Sequence, residues 1–146
     1  MPEAWPDLTE VFRMRLEQLE SAPADEPWLL RAVVLRSEAR VIGVTGFHGP
    51  PGGAWLEEHA PDGVEFGYTI FEGDRRQGFA TEAGEGLVRW ASDAHRVRRY
   101  VLSIGSGNDA SQRVARKLGF RQVGEWEHPQ RGRELVFLRT LEPPPA

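Results

Sequence analysis

Residues 63 to 104 run as strand, glycine junction, helix and strand, and this run constrains the fold more than any other feature of the chain. GVEFGYTIF (63–71) alternates, with Val64, Phe66, Tyr68 and Ile70 on one face. The segment EGDRRQG then interrupts it. From about Ala80 to His95, the residues Ala80, Ala83, Leu87, Trp90, Ala91 and Ala94 keep helical spacing. RYVLSI (99–104) is a second, short strand. A strand–helix–strand step of this kind makes its two strands parallel, with a right-handed crossover in nearly all cases.

The flanks read differently. Pro6-Asp7 precedes a helix from about Leu8 to Glu20, with Asp7 and Glu10 spaced as a capping box. Leu8, Val11, Phe12, Leu16 and Leu19 make its apolar face, and SAPADEP ends it. WLLRAVVLR (28–36) and RVIGVTGFH (40–48) predict an antiparallel hairpin across the short SEA segment. GPPGG (49–53) breaks the chain, and 54–63 reads as an exposed loop. After the loop GSGN (105–108), Asn108 or Asp109 can cap a third helix that ends at Lys117-Leu118, with Gly119 as its stop. FRQVGEW (120–126) and RELVFLRTL (133–141) predict a closing strand pair, and EPPPA (142–146) a frayed tail. Trp28, Trp90 and Trp126 are assigned to the core. The expected fold class is α/β (α+β): one domain over 1–141, with a mixed, mostly antiparallel twisted sheet, a central parallel βαβ pair and helices on both faces.

Composition narrows the function classes. The chain of 146 residues holds no cysteine and four histidines, without HxxxH spacing, so nothing supports a metal site. A net charge of -4 argues against a nucleic-acid-binding surface. No apolar run approaches the roughly 18 residues of a membrane span, and no secretory signal is visible at the start. A soluble cytoplasmic protein is the expectation.

The junction carries the chemistry. Gly78 permits positive φ or close approach of a ligand to the backbone, and Ala80 keeps the next stretch uncrowded. The amides from Gln77 to Thr81 are free helix-start donors, beside the cations Arg75 and Arg76. Such a place can hold a phosphate or diphosphate. The alternative is a surface turn whose glycine only ends a strand. It is neither a P-loop, since no GK[ST] follows, nor a dinucleotide fingerprint, since GxGxxG is absent.

R-R-x-G-x-A-T-E-A at the central helix start resembles the acyl-CoA diphosphate motif of the GNAT acetyltransferases. VEFGYTIF resembles the strand that precedes it in that family. RRYVLSI followed by N-D-A-S resembles the next strand and its asparagine, and SQRVARKLGFRQVGE the helix with a trailing K-L-G-F. N-x-x-S-x-x-x-x-x-K-x-G-F, from Asn108 to Phe120, is the more specific half. The resemblance covers roughly 28–141 and is closest to the ribosomal-protein N-terminal (Rim-type) branch. It implies that the two parallel strands splay to bind acetyl-CoA, with pantetheine along the backbone of Thr69, Ile70 and Phe71. It implies a diphosphate on Arg76, Gln77, Gly78, Phe79, Ala80 and Thr81, with Arg75 adding charge. Asn108 and Ser111 would hold the pantetheine, and Arg113, Arg116 and Lys117 could meet the adenosine phosphate.

The implied reaction is direct attack of an amine on the thioester, with a base to remove the amine's proton. Glu65, on the cleft strand, is the first candidate base; the alternative is a salt-bridged, outward carboxylate. His48 could line the acceptor site, as could Trp55, Glu57, Glu58 and His59. Tyr68 points to the face opposite Glu65 and reads as core. Many family members carry a tyrosine seven residues after the asparagine, as acid for the thiolate. Here that position is Ala115, leaving Ser103 and Ser106, or solvent, as substitutes. The family's usual first strand has no counterpart ahead of the first helix. The acceptor pocket is then expected to be either open or completed by a second subunit, as in a homodimer. The expected activity is N-acetylation of a small amine or a protein N-terminus, with an inactive acetyl-CoA-binding module as the alternative.

Overall fold

The computed structural model describes residues 6–142. Helix α1 (Thr9–Ser21) leads through a 3-10 turn (Pro23–Trp28) into strands β1 (Arg31–Leu35) and β2 (Arg40–Phe47). Strand β3 (Val64–Ile70), helix α2 (Phe79–His95) and strand β4 (Arg99–Gly105) form the crossover. Helix α3 (Asp109–Lys117) precedes β5 (Arg121–His128) and β6 (Gly132–Thr140). The six strands form one sheet in the order β1-β2-β3-β4-β6-β5, parallel only between β3 and β4. This is the mixed, mostly antiparallel sheet that the pattern predicts. No described helix is long and apolar enough to cross a membrane.

The parallel pair is brief. β3 and β4 are in register only at Val64–Tyr100 and Glu65–Val101. Beyond those residues each strand stays bonded to its outer neighbour, β3 to β2 as far as Ile70 and β4 to β6 as far as Gly105. The sheet is therefore parted along its middle toward the strand C-termini.

The main core lies on the sheet face covered by α2 and α3. Phe47, Phe66, Tyr100, Leu102 and Phe137 from the strands meet Leu87, Val88, Ala91 and Ala115 from the helices and Leu118 just after α3. Trp28 and Trp90 close one end, their rings 5.1 Å apart. Tyr100 is fully buried, and its hydroxyl lies 2.8 Å from the Val97 carbonyl and 3.1 Å from that of Val88. Burial pushes its phenol up to about 12.

The opposite face is covered in two patches. Leu8 and Phe71 pack with Val44 there. Leu56 and Ala60 pack on Val101 and Val136. The segment 54–63 is thus not simply an exposed loop: a short turn (Ala54–Leu56) drives Leu56 inward, because the bare middle of the sheet needs an apolar cover.

Several local expectations fail for identifiable reasons. The capping box closes only half. Asp7 Oδ1 accepts the Thr9 amide at 3.0 Å, but Glu10 turns to Arg13 at 2.8 Å, one helical turn on. Of the α1 apolar face only Leu8 is buried; Phe12 and Leu16 are exposed, because the side of the helix that carries them is not laid against the sheet. β1 begins three residues after Trp28, which instead ends the 3-10 turn inside the core. Trp126 is not core: it stacks on exposed Trp55, ring centroids 5.8 Å apart, on the outer strand β5. Residues 1–5, ahead of Pro6, and most of the expected frayed tail, 143–146, lie outside the described residues.

Candidate functional site

A cleft of about 590 Å³ opens where β3 and β4 part. Its lining comes from the end of β3 (Tyr68, Thr69, Ile70), the junction and start of α2 (Asp74 to Arg76, Gly78 to Thr81) and α3 (Asn108, Ala110, Arg113, Val114, Lys117). Of the residues expected around a cofactor, Thr69, Ile70, Arg75, Arg76, Gly78, Phe79, Ala80, Thr81 and Asn108 line it. Phe71, Gln77, Ser111 and Arg116 do not. Phe71 is buried beside Leu8 and Val44, and Arg116 is exposed on α3 outside the cleft.

The junction has its shape for local reasons. Gly78 has φ +85°, the left-handed region that favours glycine, and a Cβ there would meet nothing within 4 Å. The first intrahelical bond of α2 runs from the Glu82 amide to the Gly78 carbonyl, so the amides of Phe79, Ala80 and Thr81 precede the ladder. The helix dipole adds positive potential at the same spot. Arg76 also takes positive φ, at 65°. Arg75 turns back, its Nε donating to the Ile70 carbonyl at 2.8 Å, which ties the loop to the end of β3.

One part of this loop has no signal in the sequence. Asp74 is buried at the cleft wall and receives both guanidinium arms of Arg40, each at 2.9 Å. The Arg40 hydrogen bonds hold the Asp74 carboxyl below its ordinary range, and the Asp74 and Glu38 bonds raise the Arg40 guanidinium further. The pair anchors the loop and cancels a carboxylate that would otherwise oppose an anion.

On the α3 side, Asn108 Oδ1 caps the helix by accepting the Ser111 amide at 3.1 Å. Gln112 is buried and donates to the Ser106 carbonyl at 3.0 Å, fixing the loop after β4. Tyr68 points away from Glu65, as alternation requires, and packs against the core. It is only half-buried, however, and it lines the cleft, with burial raising its phenol above the ordinary range. Ala115 is wholly buried in the main core, while its neighbour Val114 lines the cleft. A side chain at 115 therefore faces the core.

The other side of the parted strands carries the titratable groups. Register puts His48, Glu65, Gly67, Val101 and Ser103 on one sheet face, opposite the main core. Glu65 is only 7% exposed; its Oε1 lies 3.1 Å from His48 Nδ1, and its Oε2 is buried with no hydrogen-bond partner. Ser103 Oγ is likewise buried and unpartnered. α1 reaches this spot: Gln18 Nε2 donates to the His48 carbonyl at 2.9 Å, and Arg15 Nη1 to Gln18 Oε1 at 3.0 Å. Burial pushes the Arg15 guanidinium below its ordinary range, and the Glu65 charge opposes that shift. Farther along the same face, Glu134 is buried against Arg131, next to the Trp55–Trp126 pair. Glu57 and Glu58 are exposed beside Trp55, and His59 is half-buried near Glu58. Among the described residues no cluster of three or more His, Asp or Glu could hold a metal ion.

Residues 2–121 match the acetyltransferase (GNAT) domain family. Among curated proteins, the uncharacterized N-acetyltransferase YjdG of Bacillus subtilis is 28% identical over 120 residues, covering 80% of this chain and 66% of that protein. The chain thus spans just under two thirds of that relative's length. Among solved structures, the ribosomal L7/L12 alpha-N-protein acetyltransferase RimL in complex with coenzyme A has TM-score 0.70 at 17% identity, covering 90% of this chain and 72% of that one. The Microcin C7 self immunity acetyltransferase MccE, in complex with acetyl-CoA and AMP, has TM-score 0.69 at 17% identity, covering 87% and 68%. At these identities the structural likeness concerns the fold.

Proposed function

The chain belongs to the acetyltransferase (GNAT) family, and from that premise we propose that it moves an acetyl group from acetyl-CoA to a primary amine, on a small molecule or a protein N-terminus. One observation carries the reading: β3 and β4 part after two register pairs, around a cleft whose wall is a helix start with leading amides. The facing edges beyond Glu65 and Val101 offer backbone donors and acceptors to an extended, amide-bearing chain. Pantetheine is such a chain, and it pairs with Thr69, Ile70 and Phe71 as an added strand does. The diphosphate rests on the amides from Arg76 through Gln77 and Gly78 to Phe79, Ala80 and Thr81. Arg75 steadies the loop. Asn108 keeps its amide nitrogen for the pantetheine while its oxygen holds the Ser111 amide, and Arg113 and Lys117 meet the adenosine phosphate from α3. RimL with coenzyme A and MccE with acetyl-CoA support the same ligand here.

The thioester end then lies where the strands divide, beside Glu65 and Ser103. The chain contains no cysteine to carry the acetyl group, which supports direct attack by the amine. Backbone N–H groups of the parted strands stabilise the charge on the thioester oxygen. Glu65 supplies the basic charge at this face.

Calorimetry with coenzyme A tests the cradle, and a free-thiol release assay with acetyl-CoA over a panel of amines and peptides tests turnover. Micromolar binding with thiol release above blank hydrolysis is expected; no binding overturns the reading. Alanine at 115, where the family resemblance leads one to expect a tyrosine as acid for the thiolate, favours a second reading as a binding module without turnover. Tight acetyl-CoA binding with no thiol release on any amine selects it.

A further inference from the structure

We propose that His48 is the group that takes the proton from the acceptor amine, and that Glu65 acts through it as a positioning residue. The inference rests on the acetyl-transfer reading and goes beyond it in naming the reacting atom. Three observations carry it. Glu65 is nearly sealed from solvent; Oε1 is taken by His48 and Oε2 is buried, so neither oxygen is open to an incoming amine. His48 lies above it with a side chain 41% exposed. Finally, His48 Nε2 hangs over β3 at Gly67, 3.3 Å from where a Cβ there would lie. Gly67 is two residues past the last β3–β4 register pair, so Nε2 sits at the point where the strands have begun to part.

The chemistry is set by these positions. An ionised carboxylate only accepts, so Glu65 Oε1 holds the imidazole proton on Nδ1 and leaves Nε2 bare as an acceptor. The carboxylate then stabilises the imidazolium that forms, the arrangement in which a buried acid orients a histidine base. The other groups at this spot are consistent with it. From α1, the Arg15 guanidinium feels the Glu65 charge, and Gln18 donates to the His48 carbonyl and fixes the backbone under the ring. Asp25 lies beyond Gln18, 3.4 Å from its amide nitrogen. The backbone N–H of His48 donates to the Glu65 carbonyl at 2.8 Å, so the strand pairing itself sets the two side chains side by side.

The acceptor arrives as an ammonium ion and sheds two protons in all. The first passes to Nε2 and on to solvent. The neutral nitrogen forms its bond to the thioester carbonyl carbon, the C–S bond breaks, and the second proton leaves with the thiolate as the CoA thiol.

Two arms test this on the full chain. The first needs no acceptor: 15N spectra of histidine-labelled protein, with the His48 signals assigned by His48→Gln, report the neutral tautomer. A proton on Nδ1 is expected, and Glu65→Gln should release it to the ordinary mixture. A proton on Nε2 in the unaltered protein overturns the proposal. The second arm is thiol release with acetyl-CoA over the amine panel. His48→Gln should lower kcat by about 100-fold or more, the usual scale of a positioned base, and remove the acid limb of the kcat–pH profile. The acetyl-CoA Kd should stay unchanged. Glu65→Gln should lower kcat less and keep the limb. If His48→Gln keeps both kcat and limb while Glu65→Gln loses both, Glu65 is the direct base and the proposal falls. An unaltered protein that neither binds acetyl-CoA nor releases thiol defeats the acetyl-transfer reading instead, and the tautomer still decides the pairing.

Discussion

The loop at 74–81 and the face around Glu65 flank the same parted strands, yet they are assembled differently. The loop is one continuous stretch, and most of what it offers a ligand is backbone: amides of Phe79, Ala80 and Thr81, freed by Gly78. The face is made of side chains from three distant stretches: Arg15 and Gln18 of α1, His48 after β2, and Glu65 of β3. A backbone site is set by local conformation. A side-chain site depends on register, since a slip of one residue between β2 and β3 would send His48 or Glu65 to the core face. The first should fail through changes of conformation or charge in the loop, and the second through small shifts of single groups.

Gly78→Glu should be the most damaging change to the loop. It adds bulk, strain at positive φ and a negative charge where a diphosphate is proposed. Coenzyme A affinity should fall by more than about 100-fold, given the several kcal/mol that like charges cost at a binding surface. Calorimetry checks this, with circular dichroism to confirm folding; equal affinity in a folded variant removes the loop from the site.

Next in size is an effect on turnover alone. Gly67→Ala places a methyl 3.3 Å from His48 Nε2 without touching the loop. We expect kcat to fall by about tenfold through misplacement of the ring, with the acetyl-CoA Kd unchanged. A matching loss of affinity would show that the two halves are not separable.

Arg40→Met should weaken coenzyme A by about tenfold, because it leaves Asp74 charged and unpaired at the cleft wall. Adding Asp74→Asn should recover part of the loss. No recovery would mean that Arg40 acts by anchoring the loop rather than by cancelling charge.

The smallest effect is on stability and touches both halves equally, through the shared core. Tyr100 is held neutral up to about 12 when folded, against an ordinary value of 10.0. The unfolded chain therefore loses its proton first as pH rises, and this contribution, complete below pH 10.0, is lost toward pH 12. Urea midpoints across that window should fall more steeply for the unaltered protein than for Tyr100→Phe.

The legibility of each part reflects its construction. The loop, the crossover and the capped third helix are readable because glycine, small residues and helical spacing act within a few positions. The Arg40–Asp74 pair, 34 residues apart, carries no such signal. His48 and Glu65 each stand out as candidates in the sequence, but only the antiparallel register of β2 and β3 makes them neighbours. Hydrophobicity alone assigns Trp126 to the core, whereas a place on the outer strand leaves it exposed. Phe12 and Leu16 have the periodicity of a buried stripe, but a helix can bury only what it is laid against.

By itself, then, the sequence determined the order of elements, the one parallel pair and the glycine turn at its end. These depend on backbone preference and on a period that needs no distant partner. The tertiary structure decided how far the parallel strands stay together, which carboxylate is cancelled and which is left buried, and which ring nitrogen faces the opening. Those outcomes depend on side chains remote in the chain, brought within hydrogen-bonding distance by strand register, and no local pattern encodes that distance.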